Sequence, residues 1–134
     1  MSVVSVTNVI LDMWRDGWST ATPYVFDNEE LNRQVAAWAR LSIRDLAGGQ
    51  YTMGKTGNRK FRRRGQVIAQ AFTETGIGTA KCLRLAEQAR DIYEGKRVND
   101  ILFLDGDIQR VGVPKGDRYY QVVMFCPFWY TVTK

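Results

Sequence analysis

The stretch Gly65–Gly95, GQVIAQAFTETGIGTAKCLRLAEQARDIYEG, carries two hydrophobic periods in succession, and the point where one gives way to the other decides the fold class. In GQVIAQAFTE, Gln66, Ile68, Gln70 and Phe72 alternate with Val67, Ala69 and Ala71. A period of two puts successive side chains on opposite faces of a strand. Gly76 and Gly78 of TGIGT close that strand with a turn. The period then lengthens, and Cys82, Leu85, Ala86, Ala89, Ile92 and Tyr93 recur at three- and four-residue steps as the buried stripe of a helix. Thr79 suits its N-cap and Gly95 its C′ position, with Lys96 and Arg97 beside the negative end of the helix dipole.

The flanking segments repeat this alternation of element types. Val3, Val6, Ile10, Met13 and Gly17 follow at helical steps, which predicts an amphipathic helix over 3–16 ended by Gly17. In STATPYVFDNEE, Pro23 blocks a helix and TPYVF reads as extended. Residues 31–46 fit two periods: Leu31, Val35, Trp38 and Leu46 suit a helix, while VAAWARLSIRD alternates as a strand does, leaving 31–38 open. DILFLDG and IQRVGVP read as short strands, and RYYQVVMFCPFWYTV as a long one with aromatic residues on both faces. The order of helix, strands, helix, strands predicts one α+β domain over 1–134, a mainly antiparallel sheet with two principal helices packed on one face. Its 134 residues and 45% hydrophobic content suffice for a single core.

The sequence contains no histidine and two cysteines, so Ser-His and Cys-His pairs are excluded and a zinc site lacks ligands. Cys82 and Cys126 fall on apolar faces and read as core thiols of a reducing compartment. No apolar run approaches a membrane span, and MSVVSVTNVILDMW lacks the basic start and cleavage site of a secretion signal. The expectation is an intracellular product with no cofactor, no metal and no membrane partner. The net charge is +5, yet Leu46 to Thr73 contains no acid and holds Lys55, Arg59, Lys60, Arg62, Arg63 and Arg64.

That basic segment begins with a match to the phosphate-loop pattern G-x-x-x-x-G-K-[ST] at Gly49, Gly54, Lys55 and Thr56, and ILFLD offers Asp105 as a magnesium ligand. Such a loop works only where a helix starts at the Lys-Thr pair and aims its amides at the phosphates. Here GNRKFRRRGQ follows, in which Gly57, Asn58, Gly65 and mutually repelling cations oppose a helix. A nucleotide site of Gly49–Thr56 with Asp105 is therefore the weaker alternative. Lys55–Arg64, with Tyr51 and Phe61 interleaved, also fits a small nucleic-acid-binding protein, whose arginines grip phosphates while its rings stack on bases.

Across nearly the whole chain the sequence resembles the phage tail terminator-like family, the tail-completion proteins of long-tailed bacteriophages. The resemblance rests on the N-terminal amphipathic helix, TPYVFDNEE, AAWARLSIRD, the segment GNRKFRRRGQVIAQAFTETGIGTAKCLRLAEQARDIYEG and the closing RYYQVVMFCPFWY. Its most specific part is R-R-x-G before an alternating strand, a G-x-G turn, a helix ending IYEG and an aromatic-rich last strand.

The resemblance implies a structural virion protein rather than an enzyme: a ring of typically six copies that caps the finished tail tube and presents the joining surface to head-connector, or neck, proteins. It implies an α+β fold, favours a strand for AAWARLSIRD, and makes the basic segment a long β-hairpin arm. Expected partners are further copies of the chain, the tail tube protein, the connector proteins and, non-specifically, double-stranded DNA passing through the lumen. The expected location is the virion tail, assembled in the host cytoplasm. Lys55, Arg59, Lys60, Arg62, Arg63 and Arg64 are the expected partner or DNA contacts, and Phe128, Trp129 and Tyr130 the expected subunit-interface residues.

Overall fold

The computed structural model of the chain describes residues 2–18, 22–30, 35–50, 52–76, 78–116 and 118–134. Its elements are α1 (Val3–Gly17), β1 (Tyr24–Phe26), β2 (Ala37–Gln50), β3 (Lys60–Glu74), α2 (Ala80–Tyr93), β4 (Arg97–Val98), β5 (Ile101–Phe103), β6 (Asp107–Gly112) and β7 (Tyr119–Thr133). The strands form one sheet in the order β1-β2-β3-β7-β5-β4, with β6 also paired to β7. Every pairing is antiparallel except the short parallel match of β1 to β2. The fold is α+β, as the two hydrophobic periods of the sequence lead one to expect.

Both helices cover the same face. Along β3, Val67, Ala69 and Ala71 lie opposite Cys126, Met124 and Val122 of β7 and opposite Ile43, Leu41 and Ala39 of β2. Onto this floor α1 lowers Val6, Ile10 and Trp14, and α2 lowers Cys82, Leu85, Ala86, Ala89, Ile92 and Tyr93. The α2 stripe is the one the sequence predicts, residue for residue. Each large apolar side chain buried in this way contributes about 1.5–3 kcal/mol. The Tyr93 hydroxyl donates to the Ile10 carbonyl at 2.7 Å, so the polar end of a fully buried ring is satisfied while it ties the helices together. Both cysteines are buried free thiols, in agreement with their assignment to the core.

Several local expectations are corrected. Helix α1 includes Gly17 and ends because Trp18 turns extended at φ −84°, ψ 140°. Gly17 is small for a packing reason: a Cβ there would come within 2.9 Å of Ile92 Cγ1. Val3 is exposed, and Trp14 replaces it as a member of the buried stripe. Ser2 caps the helix reciprocally with Ser5. For 31–38, residues 31–34 lie outside the described residues, and the chain is strand from Ala37 onward. Thr79 holds the N-cap position of α2 without a side-chain cap bond, and Gly95 takes the left-handed φ of +72° expected at C′.

The basic segment is the main surprise. Lys60, Arg62, Arg63 and Arg64 belong to β3, which is paired to β7 without a break from Lys60↔Thr133 to Glu74↔Tyr119. The predicted hairpin of β2 and β3 is present, but β7 flanks it, so its basic end is a three-stranded extension of the sheet with its tip at 52–59. Gly48 sits at the bulge between Leu46 and Gly49, where a Cβ would meet the Arg62 carbonyl oxygen at 2.2 Å.

Candidate interaction surface

Because side chains alternate along a strand, the three consecutive arginines cannot form one patch. Arg62 and Arg64 share the face opposite the helices with Lys60, whereas Arg63 pairs with Tyr130 on the helix side. Arg62 lies over the Trp129 ring at 4.2 Å, and Arg63 over Phe61 at 5.6 Å. Arg62 and Arg63 are half-buried and Arg64 is exposed. Arg59 is occupied within the tip: its side chain donates to the Gly54 carbonyl at 3.1 Å and to the Thr56 hydroxyl at 3.3 Å. Lys55 is exposed in the turn, and Tyr51 lies outside the described residues.

The same alternation splits the aromatic cluster. Phe128 and Tyr130 are only 2% and 3% exposed and belong to the monomer core, which corrects their expected place in a subunit interface. Phe128 lies over Gly65, where a Cβ would fall 2.3 Å from its Cζ, and packs against Phe103 and Tyr130. Burial raises the Tyr130 hydroxyl pKa, Asp45 adds to the rise and Arg63 opposes it. Trp129 alone reaches the other face.

No helix among the described residues covers that other face. Read across the register, it carries Arg40, Arg44, Lys60, Arg62, Arg64 and Arg97 with Glu74 and Asp107, and Asp100 stands beside Lys60 and Arg97 in a groove along its edge. Six of the chain's 19 Lys and Arg side chains therefore share one side of the sheet. Between the cations lie Trp38 stacked on Phe72 at 4.1 Å, Tyr119 edge-on to both, and Ile68, Val123, Phe125 and Trp129. Arg40 stands over Trp38 at 5.5 Å. A groove of about 380 Å³ crosses this side, lined by Leu46, Arg62, Arg64, Leu104, Pro127 and Trp129 among others. An apolar floor beneath cations is chemically suited to an anionic partner that also brings apolar surface.

The phosphate-loop alternative fails on geometry. Gly49 lies within β2, and Lys55 and Thr56 occupy a turn closed by Asn58 N–H to the Lys55 carbonyl at 2.9 Å, with no helix until Ala80. Asp105 follows Leu104, which bonds to Pro127 opposite Gln66, six residues along β3 from Lys60. At the rise of a strand that is roughly 20 Å from the start of the tip. Among the described residues, no group of three His, Cys, Asp or Glu side chains is placed to hold a metal. No helix among them is long and apolar enough to cross a membrane.

No family model matches the sequence, and no curated protein matches it. A solved structure, whose designation carries no functional description, matches over 98% of this chain and 95% of its own with a TM-score of 0.65. At 13% identity that likeness shows the α+β fold and nothing more. The cationic face follows from the sequence once the alternation of β3 is carried back from Gly65 to Lys60. Arg62 and Arg64 share the parity of Ile68 and Phe72, Arg63 that of Val67 and Ala69, so the signal was present.

Proposed function

We propose that this chain is a non-enzymatic tail terminator that closes the finished tail tube of a long-tailed phage as a ring, hexameric on the family pattern, and offers the joining surface to head-connector proteins. The observation that carries the reading is the uncovered, cationic and aromatic face of the sheet. With helices on one face only, Trp38, Ile68, Tyr119, Phe125 and Trp129 on the other are only half-buried within one copy, and a neighbour would complete their burial. A closed ring also requires each copy to present two different surfaces, and this chain has a basic sheet face and a helical face of mixed charge. The sequence resemblance supplies the family, and the fold is compatible with it. On this reading the protein acts in the virion tail, and the tube protein, connector proteins and sibling copies are its partners.

Mass photometry over a wide concentration range, alone and with tail tubes, tests this. Monomers or weak oligomers that close into rings on the tubes are expected, because premature closure blocks tail growth. A stable two-fold dimer that never forms a ring overturns the proposal. A second reading is favoured by one feature: Lys60, Arg62 and Arg64 share a face with Trp129, an arrangement suited to nucleic acid. Under it, duplex DNA is retained on that face with a steep salt dependence.

A further inference from the structure

On the helix side, a cleft of about 600 Å³ opens between the C-terminal turns of α1, the outer side of α2 and β4. Met13, Ile92 and Val98 supply apolar lining, while Asp16, Glu87 and Asp91 stand among its polar residues with Arg84 and Lys96. The hairpin tip has the complementary character. Met53 is 96% exposed, beside the exposed Lys55, on a turn whose loop carries no acid. An unbranched, polarisable side chain held in water at the end of a hairpin is a poor arrangement for a lone chain and a good one for filling an apolar cleft. The tip is also held in shape. Thr52 Oγ1 accepts the Lys60 N–H at 2.8 Å, Gln50 donates to the Thr52 carbonyl at 2.8 Å, and Arg59 clasps Gly54 and Thr56. A preorganised loop loses little freedom on docking.

We infer that the tip of one copy seats Met53 in the α1–α2 cleft of a second copy, with Lys55 against the carboxylates of Asp16, Glu87 and Asp91. The contact is heterologous, tip to cleft, so its repetition runs head to tail and fits the ring reading on which it rests. None of Lys55, Asp16, Glu87 or Asp91 is engaged in an ion pair among the described residues, so all four are available to this contact.

The test is cross-linking of concentrated full-length protein carrying Met53→Cys and Gln88→Cys, with each single variant as control. Cys82 and Cys126 are buried and leave the engineered thiols as the reporters. The expected result is a disulfide-linked ladder from the double variant alone, weakened when Lys55→Glu is added to it. Absence of a linked product, or a disulfide formed only within one chain, overturns the inference. Rings without this cross-link sink the tip contact and leave the ring reading standing; a linked product that stops at the dimer keeps the contact and sinks the ring. As a second measurement, Lys55→Glu is expected to weaken self-association by up to about fivefold, as for an exposed ion pair. Glu87→Lys with Asp91→Lys is expected to restore it, and failure of the reversal to recover any association counts against the contact.

Discussion

Truncating Phe128 and truncating its neighbour Trp129 should have opposite consequences, since adjacent strand residues face opposite sides of the sheet. Phe128 is 2% exposed, touches Phe103 and Tyr130, and fills the space that Gly65 leaves open. Phe128→Ala removes a ring from a closed core and is expected to cost about 3–5 kcal/mol. Trp129→Ala loses the Arg62 contact at 4.2 Å and part of a half-buried ring. A surface cation–π pair is worth about 0.5–1 kcal/mol, and the whole change should stay below about 2 kcal/mol. For a chain of this length each kcal/mol moves the melting midpoint by roughly 3–4 °C, so the core variant should melt about 9–20 °C lower and the surface variant less than about 8 °C lower. Urea titration followed by circular dichroism gives the free energies, and mass photometry of the folded variants gives the assembly. Trp129→Ala is expected to fold and to associate poorly. Equal losses of stability for the two variants, or a Phe128→Ala variant as stable as the parent, would refute the assignment of faces.

Gly65→Ala should cost about 1–3 kcal/mol by crowding Phe128, measurable by the same titration, whereas Gly49→Ala, with open space around its Cα, should be nearly silent. Burial pushes the Cys126 thiol up to about 12 from 9.0, with Glu94 and Asp105 adding to the rise, and burial also raises Cys82. Since the folded pKa lies above the unfolded one, their contribution to stability is complete below about pH 9 and is lost as pH rises towards 12, which a pH series of unfolding curves should record. Replacing Arg62, Arg63 and Arg64 together with Ser should lower heparin retention and tail completion. It should also cost more stability than three exposed sites would, about 0.5 kcal/mol each, because Arg62 and Arg63 lie over Trp129 and Phe61. A triple variant that melts with the parent would contradict those contacts. Calorimetry with ATP and magnesium should record no heat of binding; micromolar binding abolished by Lys55→Ala would revive the nucleotide alternative.

Which parts of this fold were legible follows from where burial alone sets the residue pattern. Helix α2 has a single buried stripe and water on its other side, so its period of 3.6 is clean and its six buried residues can be named from sequence. Strand β7 is apolar on both faces, one against the helices and one that no described helix covers, so composition marks the strand but cannot say which of Phe128, Trp129 and Tyr130 lies inside. That choice is made by register, since Phe128 sits opposite Gly65, the residue with room for a ring above it. The basic stretch looks like a loop because six cations in ten residues suggest solvent. Its second half, from Lys60 to Arg64, is part of a central strand because β7 extends to Thr133 and pairs with it down to Lys60, and the cations are tolerated there because Lys60 and Arg64 stand in solvent while Arg62 and Arg63 lie over the half-buried rings of Trp129 and Phe61. Charge at the end of a strand, then, argues against burial rather than against pairing. An arginine run flanked by alternating apolar residues is better divided by parity first, and only then assigned to partners.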